Sequence, residues 1–278
     1  MSNRKIALVT GTSSGIGLHT AVGLAREGFH VVATMRDPGR ADRLRAEAAD
    51  QGVDLTIRKL DVTDRDGARA CLDEVAADFG PIAILVNNVG QAVVGTLEQI
   101  DDDALQQQLE VNFLGAAALT RHVLPSMRKS GAGRIVSVSS EGGAVGQPFL
   151  DGYIAAKFAL EGLMQSLAPV AARFGVVVSV VEPAAVTTDF VDNVDNRAFP
   201  GPDDPYRDLV EKYLQSAVDN LTRAQPVREA AAVVIEAATT RTPRFRWQTS
   251  EAAAASVGRS LADLDGSAVI AAMSTWLD

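Results

Sequence analysis

The chain has 278 residues, of which 47% are apolar and 22% charged, a balance typical of a globular protein with one large core. Its formal net charge of −9 argues against nucleic acid or an anionic membrane surface as a partner. The single cysteine, Cys71, rules out an internal disulfide, and no apolar run approaches the ~20 residues of a membrane span. We therefore expect a cytoplasmic protein without a membrane span.

Strand-like and helix-like segments alternate along the chain. Apolar runs predict strands at 6–10, 30–35, 54–60, 82–87, 134–139 and 176–182, with a short last strand at 244–248. Helices are predicted at 15–27, 40–51, 64–79, 102–130 and 153–174. This alternation predicts a Rossmann-type, doubly wound α/β fold, with a mostly parallel seven-stranded sheet and helices on both faces.

The first predicted strand leads directly into the turn Gly11-Thr12-Ser13-Ser14-Gly15-Ile16-Gly17. A glycine turn between a strand and a helix lets the backbone approach a pyrophosphate, whose charge the helix N-terminus favours. The spacing differs from the commoner GxGxxG, and a glycine-rich turn alone would also suit any tight connection. The turn nevertheless indicates a dinucleotide site.

Tyr153 and Lys157 are four residues apart in a predicted helix, so their side chains share one face. A cation beside a phenol favours the phenolate and should lower its pKa from the usual ~10 toward neutrality. A tyrosine tuned in this way can exchange a proton with a carbonyl or an alcohol. Taken alone, the pair could equally be packed and solvated.

Three further motifs accompany this pair. Asn87-Asn88-Val89-Gly90 ends the fourth strand, Asn112 lies in Val111-Asn112-Phe113-Leu114-Gly115, and Ser140 stands thirteen residues before Tyr153. Together, over about residues 5–190, the motifs resemble the compact, single-domain branch of the short-chain dehydrogenases/reductases. Two segments, 146–149 and 153–163, most resemble hydroxysteroid and retinol dehydrogenases.

The resemblance implies a role for each catalytic residue. Tyr153 would be the general acid/base, and Lys157 would lower its pKa and bind the nicotinamide ribose. Ser140 would donate a hydrogen bond to the substrate oxygen, a role for which Ser139 is the competing serine with the less favourable spacing. Asn112 would anchor a water chain from Lys157 to solvent.

The end of the second strand bears on which nicotinamide cofactor is bound. An acid there binds the ribose 2′-hydroxyl of NAD, whereas an arginine accepts the 2′-phosphate of NADP. Asp37 could be that acid, but in the family's register Arg36 takes the phosphate, with Ser14 as a second contact. We expect NADP(H) in preference to NAD(H). The implied cofactor-binding residues are Gly11, Ser13, Ser14, Gly15, Ile16, Gly17, Arg36, Asp61, Val62, Asn88, Val89, Gly90, Tyr153, Lys157, Pro183, Val186 and Thr188.

Three departures from the family pattern stand out. Ala184 replaces the usual glycine after Pro183, which removes conformational freedom near the nicotinamide, and Val89 replaces an alanine. Pro169 lies inside the predicted helix, where it should free the Gln165 carbonyl and produce a kink. Because that helix often forms the dimer face in this family, the kink bears on the implied homodimer or homotetramer.

The chain is expected to be one catalytic domain, 1–278, with a substrate-loop insertion at 189–225 and helices at 208–222 and 227–239. The start of this insertion is rich in proline, aspartate, asparagine and glycine, so it could also be an ordinary surface loop. Phe149 and Phe190 are the candidate substrate contacts. Further candidates for the pocket wall are Val191, Phe199 and Trp247.

Two classes of function remain. The first is an NADP-dependent enzyme that transfers a hydride between the cofactor and a carbonyl or secondary alcohol of an apolar, steroid- or retinoid-like substrate. The second is a cofactor-binding regulator that keeps the fold without turnover. The intact catalytic set favours the enzyme. His19, His30 and His122 share no metal-ligand spacing, so no metal site is expected.

Overall fold

The computed structural model describes residues 4–188, 194–195, 200–201, 203–263, 272 and 275. Seven strands form one sheet in the order β7-β6-β5-β4-β1-β2-β3, and every neighbouring pair is parallel. They are β1 (Ile6–Thr10), β2 (His30–Met35), β3 (Thr56–Lys59), β4 (Ile82–Asn87), β5 (Gly133–Val138), β6 (Val176–Glu182) and β7 (Arg246–Gln248). The predicted Rossmann-type fold is confirmed.

Helices cover both faces of the sheet. The helices are α1 (Gly15–Arg26), α2 (Asp42–Asp50), α3 (Arg65–Phe79), α4 (Asp102–Leu109), α5 (Gly115–Ser130), α6 (Asp151–Ala172), α7 (Arg207–Leu221), α8 (Val227–Thr239) and α9 (Glu251–Ala262). One apolar core joins the sheet to α1, α2 and α8, and a second joins it to α3, α5 and α6. The central strands are continuous apolar runs because both of their faces are buried in this way.

The predicted helix at 102–130 is three segments. Between α4 and α5 lies a π-helical turn, Glu110–Leu114, which contains Asn112. A π turn inserts an extra residue into the helix and so changes the direction in which neighbouring side chains point. At the start of α5, Gly115 packs against Val62, where a Cβ would lie 2.7 Å from the valine side chain. No pattern in the sequence marks the change of helix type.

The helix α6 continues past Pro169 to Ala172, close to the predicted end of this helix. The strands β3 and β7 are shorter than predicted, and both lie at the edges of the sheet, where one neighbour is missing. The helix α9 was not predicted. Its start is marked by Ser250, whose Oγ accepts a hydrogen bond from the Ala253 amide at 3.2 Å.

The segment 189–225, predicted to be an insertion, contains α7, while most of 189–199 lies outside the described residues. The helix α7 packs through Val210 and Tyr213 onto Val94 and Phe149, beside the carboxyl edge of the sheet. The segment Val186–Thr187 pairs in parallel with Gln225–Pro226, just after α7. These contacts hold α7 beside the carboxyl ends of the strands.

Candidate active site

The carboxyl ends of β1, β2, β4, β5 and β6 open into one cleft. The strand order reverses between β1 and β4, and in open α/β sheets ligands bind at such a switch point. Because β1 lies between β2 and β4 in the sheet, the glycine turn after β1 lies between Arg36, at the end of β2, and Ser140, after β5. Of the predicted cofactor residues, all but Gly17 line this cleft.

The glycine turn is held tightly against the end of β4. Gly11 and Gly15 have positive φ angles of 69° and 60°, which glycine adopts at little cost. The Asn88 side-chain amide donates to the carbonyls of Thr10 (2.9 Å) and Gly11 (3.1 Å). A Cβ on Gly17 would lie 2.3 Å from Asn88 Nδ2 and from the Gly11 carbonyl oxygen. The turn and the N-terminus of α1 thus form a close backbone cradle, which fits a dinucleotide pyrophosphate.

Arg36 and Asp37 follow β2 and line the far end of the cleft. Asp37 Oδ1 accepts a hydrogen bond from the Gly39 amide at 2.8 Å and so caps a short 3₁₀ turn. This carboxylate therefore has a local structural role. Two further arginines, Arg40 and Arg43, line the same end of the cleft. Neither was predicted from the sequence.

Asp61 and Val62 follow β3 at the next position along the cleft. Asp61 Oδ1 accepts hydrogen bonds from the Thr63 amide (2.9 Å) and from the Thr63 hydroxyl (2.7 Å). Val62 is buried against Gly115. On the opposite side, Thr188 stands over the glycine turn, with its side chain 3.5 Å from the Cβ position of Gly15.

Tyr153 and Lys157 lie one turn apart on α6, and both side chains are buried. Lys157 Nζ donates to the Val138 carbonyl at 3.0 Å and lies 5.6 Å from the centroid of the Tyr153 ring. The hydroxyl of Tyr153 is hydrogen-bonded to the side chain of Ser140. Ser140 Oγ also accepts from the Gly142 amide at 3.0 Å, which fixes the serine at the end of β5. The structure thus brings together three of the four predicted catalytic residues.

Burial governs the ionisation of this pair. It raises the pKa of Tyr153 to about 12, with a smaller contribution from the negative charge of Glu141 and an opposing one from the hydrogen bond to Ser140. Burial lowers the pKa of Lys157 to about 8, partly offset by Glu161. The expected fall in the pKa of Tyr153 is therefore not found, because the cost of burying the phenolate is the largest effect on this group. At neutral pH, Tyr153 keeps its proton.

Asn112 is almost completely buried in the π-helical turn, 1% exposed. Its Oδ1 accepts from the Gln91 amide at 3.1 Å, and its Nδ2 donates to the Gln91 carbonyl at 2.9 Å and the Gln108 carbonyl at 3.1 Å. Asn112 therefore holds the segment that follows Gly90 in place. Its role in a water chain to Lys157 stays a prediction.

A family model described as short chain dehydrogenase matches residues 5–198. The chain belongs to this family. Retinol dehydrogenase 8 of Bos taurus is 37% identical over 88% of this chain and 81% of its own length. The 17-beta-hydroxysteroid dehydrogenase type 1 of Mus musculus is 35% identical over 96% of this chain and 80% of its own. A short-chain dehydrogenase structure from Streptomyces avermitilis has a TM-score of 0.80 at 31% identity, covering 99% and 97% of the two chains.

As a short-chain dehydrogenase, the protein is an oxidoreductase that uses a nicotinamide cofactor and acts on small molecules. The narrower resemblance of its motifs to hydroxysteroid and retinol dehydrogenases is confirmed. Within the described part of the chain, no helix is long and apolar enough to cross a membrane. The same residues contain no cluster of His, Cys, Asp and Glu side chains suited to a metal ion.

Neither of the two predicted substrate residues that the structure describes, Phe149 and Trp247, lines the cleft. Phe149 is buried beside the cleft, with its ring centroid 5.5 Å from that of Tyr213, while Leu150 and Tyr213 line the cleft itself. Trp247 was wrongly assigned to the pocket. Its indole is buried between the sheet and α8, and its Nε1 donates to the Arg244 carbonyl at 2.9 Å. The candidates Phe190, Val191 and Phe199 lie outside the described residues.

The rest of the cleft wall comes mainly from residues that no sequence motif indicated. The helix α7 supplies mostly apolar side chains, and α9 supplies small and polar ones. The lining residues from these helices and the Ser at the start of α9 are Tyr213, Leu214, Ala217, Val218, Asn220, Leu221, Ser250, Ala252, Ala255, Ser256 and Arg259. Glu141, directly after Ser140, also lines the cleft.

Proposed function

We propose that this short-chain dehydrogenase transfers a hydride between NADP(H) and a carbonyl or secondary alcohol group of a largely apolar substrate. The observation that carries the proposal is the hydrogen-bonded pair of Ser140 and Tyr153, with Lys157 beside them, in the cleft that the glycine turn also lines. Each member of this set has a side chain that suits its part in the reaction.

In the reductive direction, Tyr153 donates its proton to the carbonyl oxygen, and Ser140 donates a hydrogen bond to the same oxygen. The nicotinamide, when bound, supplies the hydride to the carbonyl carbon. The C=O double bond becomes a C–H and an O–H bond, and Tyr153 is left as a phenolate. The adjacent Lys157 ammonium stabilises that phenolate. Oxidation of the alcohol runs through the same atoms in reverse.

Lys157 and Asn112 would assist this reaction by binding the ribose and by returning a proton to Tyr153. The Val138 carbonyl holds the Lys157 ammonium at a fixed position, from which it would also donate to the hydroxyls of the nicotinamide ribose. Asn112 would anchor a water chain that returns a proton to Tyr153 through Lys157. Pro183, Val186 and Thr188, which line the adjacent wall, would contact the carboxamide.

The geometry at the end of β2 supports a preference for NADP(H) over NAD(H). Asp37 is the competing acid. Its carboxylate already accepts a hydrogen bond from the Gly39 amide within its own turn. Arg36 is exposed at the cleft beside Arg40 and Arg43, so the 2′-phosphate would meet concentrated positive charge. Ser14, which begins α1 without capping it by its side chain, would add a second phosphate contact.

The apolar wall supports an apolar substrate. Val94, Leu150, Tyr213, Leu214 and Val218 line the cleft beside the catalytic set. The names of two relatives, retinol dehydrogenase 8 and 17-beta-hydroxysteroid dehydrogenase type 1, are consistent with a retinoid- or steroid-like substrate. Phe149 would act from behind this wall, and Phe190 stays a predicted contact.

We also propose a single domain and a homo-oligomeric assembly for this chain. The chain would be one catalytic domain, 1–278, in which residues 189–225 form the insertion beside the substrate. A homodimer or homotetramer is supported by the exposed apolar side chains of Phe158, Val170 and Phe174 on and just after α6, which are 45%, 60% and 47% exposed. Light scattering of the purified protein would test the assembly.

The test is NADPH consumption against a panel of steroid ketones, retinal, aromatic ketones and small polar carbonyls. We expect turnover of apolar carbonyls that falls at least ~100-fold in Tyr153→Phe, because a positioned general acid contributes about 10²–10⁴-fold. NADPH affinity should be unchanged in that variant. Tyr206→Phe is the matched control, since the Tyr206 hydroxyl bonds to Glu98, away from the catalytic set.

Undiminished activity in Tyr153→Phe would overturn the mechanism. Tight NADPH binding without Tyr153-dependent turnover of any carbonyl would instead identify the regulatory alternative. The ratio of the NADPH and NADH dissociation constants, measured in the same series, tests the cofactor preference.

A further inference from the structure

Glu141 is held next to the reacting groups by the backbone. It directly follows Ser140 and begins the 3₁₀ turn Glu141–Gly143. Its amide donates to the Pro183 carbonyl at 2.8 Å, which joins the ends of β5 and β6. Glu141 lines the cleft together with Ser140 and Tyr153. The backbone position of this carboxylate is therefore as constrained as that of the serine.

The carboxylate of Glu141 has two partners in the wall of the cleft. Its Oε1 accepts from Gln147 Nε2 at 3.1 Å, and Ser256 on α9 makes a second hydrogen bond. An ionised carboxylate offers about four acceptor positions, so two of them remain for a ligand. The negative charge of Glu141 contributes to the raised pKa of Tyr153, which means that the carboxylate is within electrostatic reach of the reacting hydroxyl.

A purely structural role does not require a charge at this position. A glutamine side chain has a carbonyl oxygen that can accept the same hydrogen bonds, and it would join α9 to the turn at a lower desolvation cost. Burial raises the pKa of Glu141, as expected for a carboxylate largely withdrawn from water. A charged acceptor in the wall of the cleft is suited to a donor group on the ligand.

We propose that Glu141 accepts a hydrogen bond from a substrate hydroxyl close to the reacting carbonyl, so that the preferred substrates are hydroxyketones, or the corresponding diols, with an apolar remainder. This inference rests on the proposed function. Ser140 and Tyr153 hold the reacting oxygen, Glu141 holds the neighbouring hydroxyl, and the side chains of α7 cover the apolar part. The proposal makes Glu141 a specificity-determining residue.

The test compares two ketones, 2-hydroxy-1-phenylethanone and acetophenone, in the wild type and in Glu141→Gln. They differ by one hydroxyl on the carbon next to the carbonyl. The wild-type ratio of kcat/KM contains the intrinsic reactivity of the two ketones, and this contribution cancels when the two proteins are compared. We expect Glu141→Gln to lower the ratio about fivefold or more, because a charged hydrogen bond to the substrate hydroxyl is replaced by a weaker neutral one. Acetophenone is the reference within each protein, so a change in the acidity of Tyr153 on loss of the Glu141 charge cancels from the ratio.

Ser256→Ala is the matched control, because it removes the link between α9 and Glu141 and leaves the carboxylate in place. Its ratio should stay within about twofold of the wild type. An unchanged ratio in Glu141→Gln, or an equal fall in Ser256→Ala, would overturn the proposal in favour of a structural link.

A binding arm separates this inference from the proposed function. Calorimetric titration of each ketone into NADP⁺-loaded Tyr153→Phe protein measures affinity without turnover. Tighter binding of the hydroxyketone that disappears in the Tyr153→Phe/Glu141→Gln double variant supports the role of Glu141, even where the wild type shows no turnover and the proposed function fails. Equal affinities for the two ketones in both backgrounds would overturn the role of Glu141, whatever the activity of the wild type.

Discussion

Glu161 lies one helical turn beyond Lys157 on the same face of α6, and both side chains are buried beneath the cleft, 2% and 3% exposed. Glu161 Oε1 accepts from the Ser139 hydroxyl at 2.7 Å. Arg246, on the last strand, forms ion pairs with both Glu161 and Glu182. The Lys157 ammonium therefore lies above a largely buried network of two carboxylates and one guanidinium.

This network explains why a buried ammonium is tolerated at the site. Burial lowers the pKa of Lys157 to about 8, and the charge of Glu161 acts in the opposite direction. Burial and the neighbouring Glu182 raise the pKa of Glu161 to about 7, against the effects of Ser139 and Arg246. Between these two values, Lys157 is protonated and Glu161 is ionised, so the pair is most favourable near neutral pH.

The first prediction concerns the pH dependence of cofactor capture. We expect kcat/KM for NADPH to decline above about pH 8, because Lys157 there loses the proton that it would donate to the ribose. In Glu161→Gln the decline should begin at lower pH, since the removed carboxylate no longer supports the ammonium. Rates measured from pH 6 to pH 10 test this. A decline at the same pH in both proteins would show that Glu161 does not influence Lys157.

The second prediction concerns stability. Replacing Arg246 by Met leaves Glu161 and Glu182 buried without their cation, and breaking a buried pair in this way costs about 3–5 kcal/mol. The loss should be largest at pH 8 and smaller at pH 5. The reason is that Glu161, with its raised pKa, is ionised at the higher pH and protonated at the lower one.

Urea unfolding at the two pH values measures both quantities. Arg228→Met is the matched control, because Arg228 pairs with Glu47 at 2.8 Å but is 60% exposed, and it should lose less than about 1 kcal/mol. An equal loss for Arg246→Met at pH 5 and pH 8 would contradict the assignment of the raised pKa to Glu161.

The third prediction concerns cofactor specificity. Arg36→Ala should weaken NADPH binding about 10-fold or more, because a charged hydrogen bond to the 2′-phosphate is lost, while NADH affinity stays the same. Asp37→Ala should leave NADH affinity unchanged, since the Asp37 carboxylate caps the turn at Gly39. Fluorescence titration of both cofactors into the wild type and the two variants gives the six dissociation constants. Weaker NADH binding in Asp37→Ala, with NADPH binding intact in Arg36→Ala, would reverse the assignment.

The fourth prediction compares two helical glycines. In Gly17→Ala the new Cβ would meet Asn88 Nδ2 and the Gly11 carbonyl at 2.3 Å, so the cradle must open, and both NADPH affinity and the melting temperature should fall. In Gly162→Ala, in the middle of α6, the Cβ meets nothing within 4 Å among the described residues. That variant should gain about 0.5–1 kcal/mol of stability with NADPH affinity unchanged. Equal NADPH affinity in Gly17→Ala and the wild type would contradict the proposed cradle.

Much of the fold could be predicted from local sequence. The strands β1, β2, β4 and β6 begin and end at the predicted residues, because strands buried on both faces are continuous apolar runs bounded by turn residues. The glycine turn and the spacing of Ser140, Tyr153 and Lys157 were likewise readable, since each motif lies within a few helical turns or one βα unit. The helix α9 was missed although Ser250 marked its start.

The chemistry of the site depended on residues far apart in the chain. Glu161 and Arg246 are separated by 85 positions, so no local pattern shows that they form a buried pair. The π-helical turn at Asn112 and the contact of Glu141 with α9 are decided in the same way by distant neighbours. The pKa of Tyr153 shows the difference most clearly. The sequence by itself determined that a lysine lies beside the tyrosine. The tertiary structure decided how deeply both are buried, and burial is the largest effect on the pKa of Tyr153 because a phenolate withdrawn from water loses its hydration.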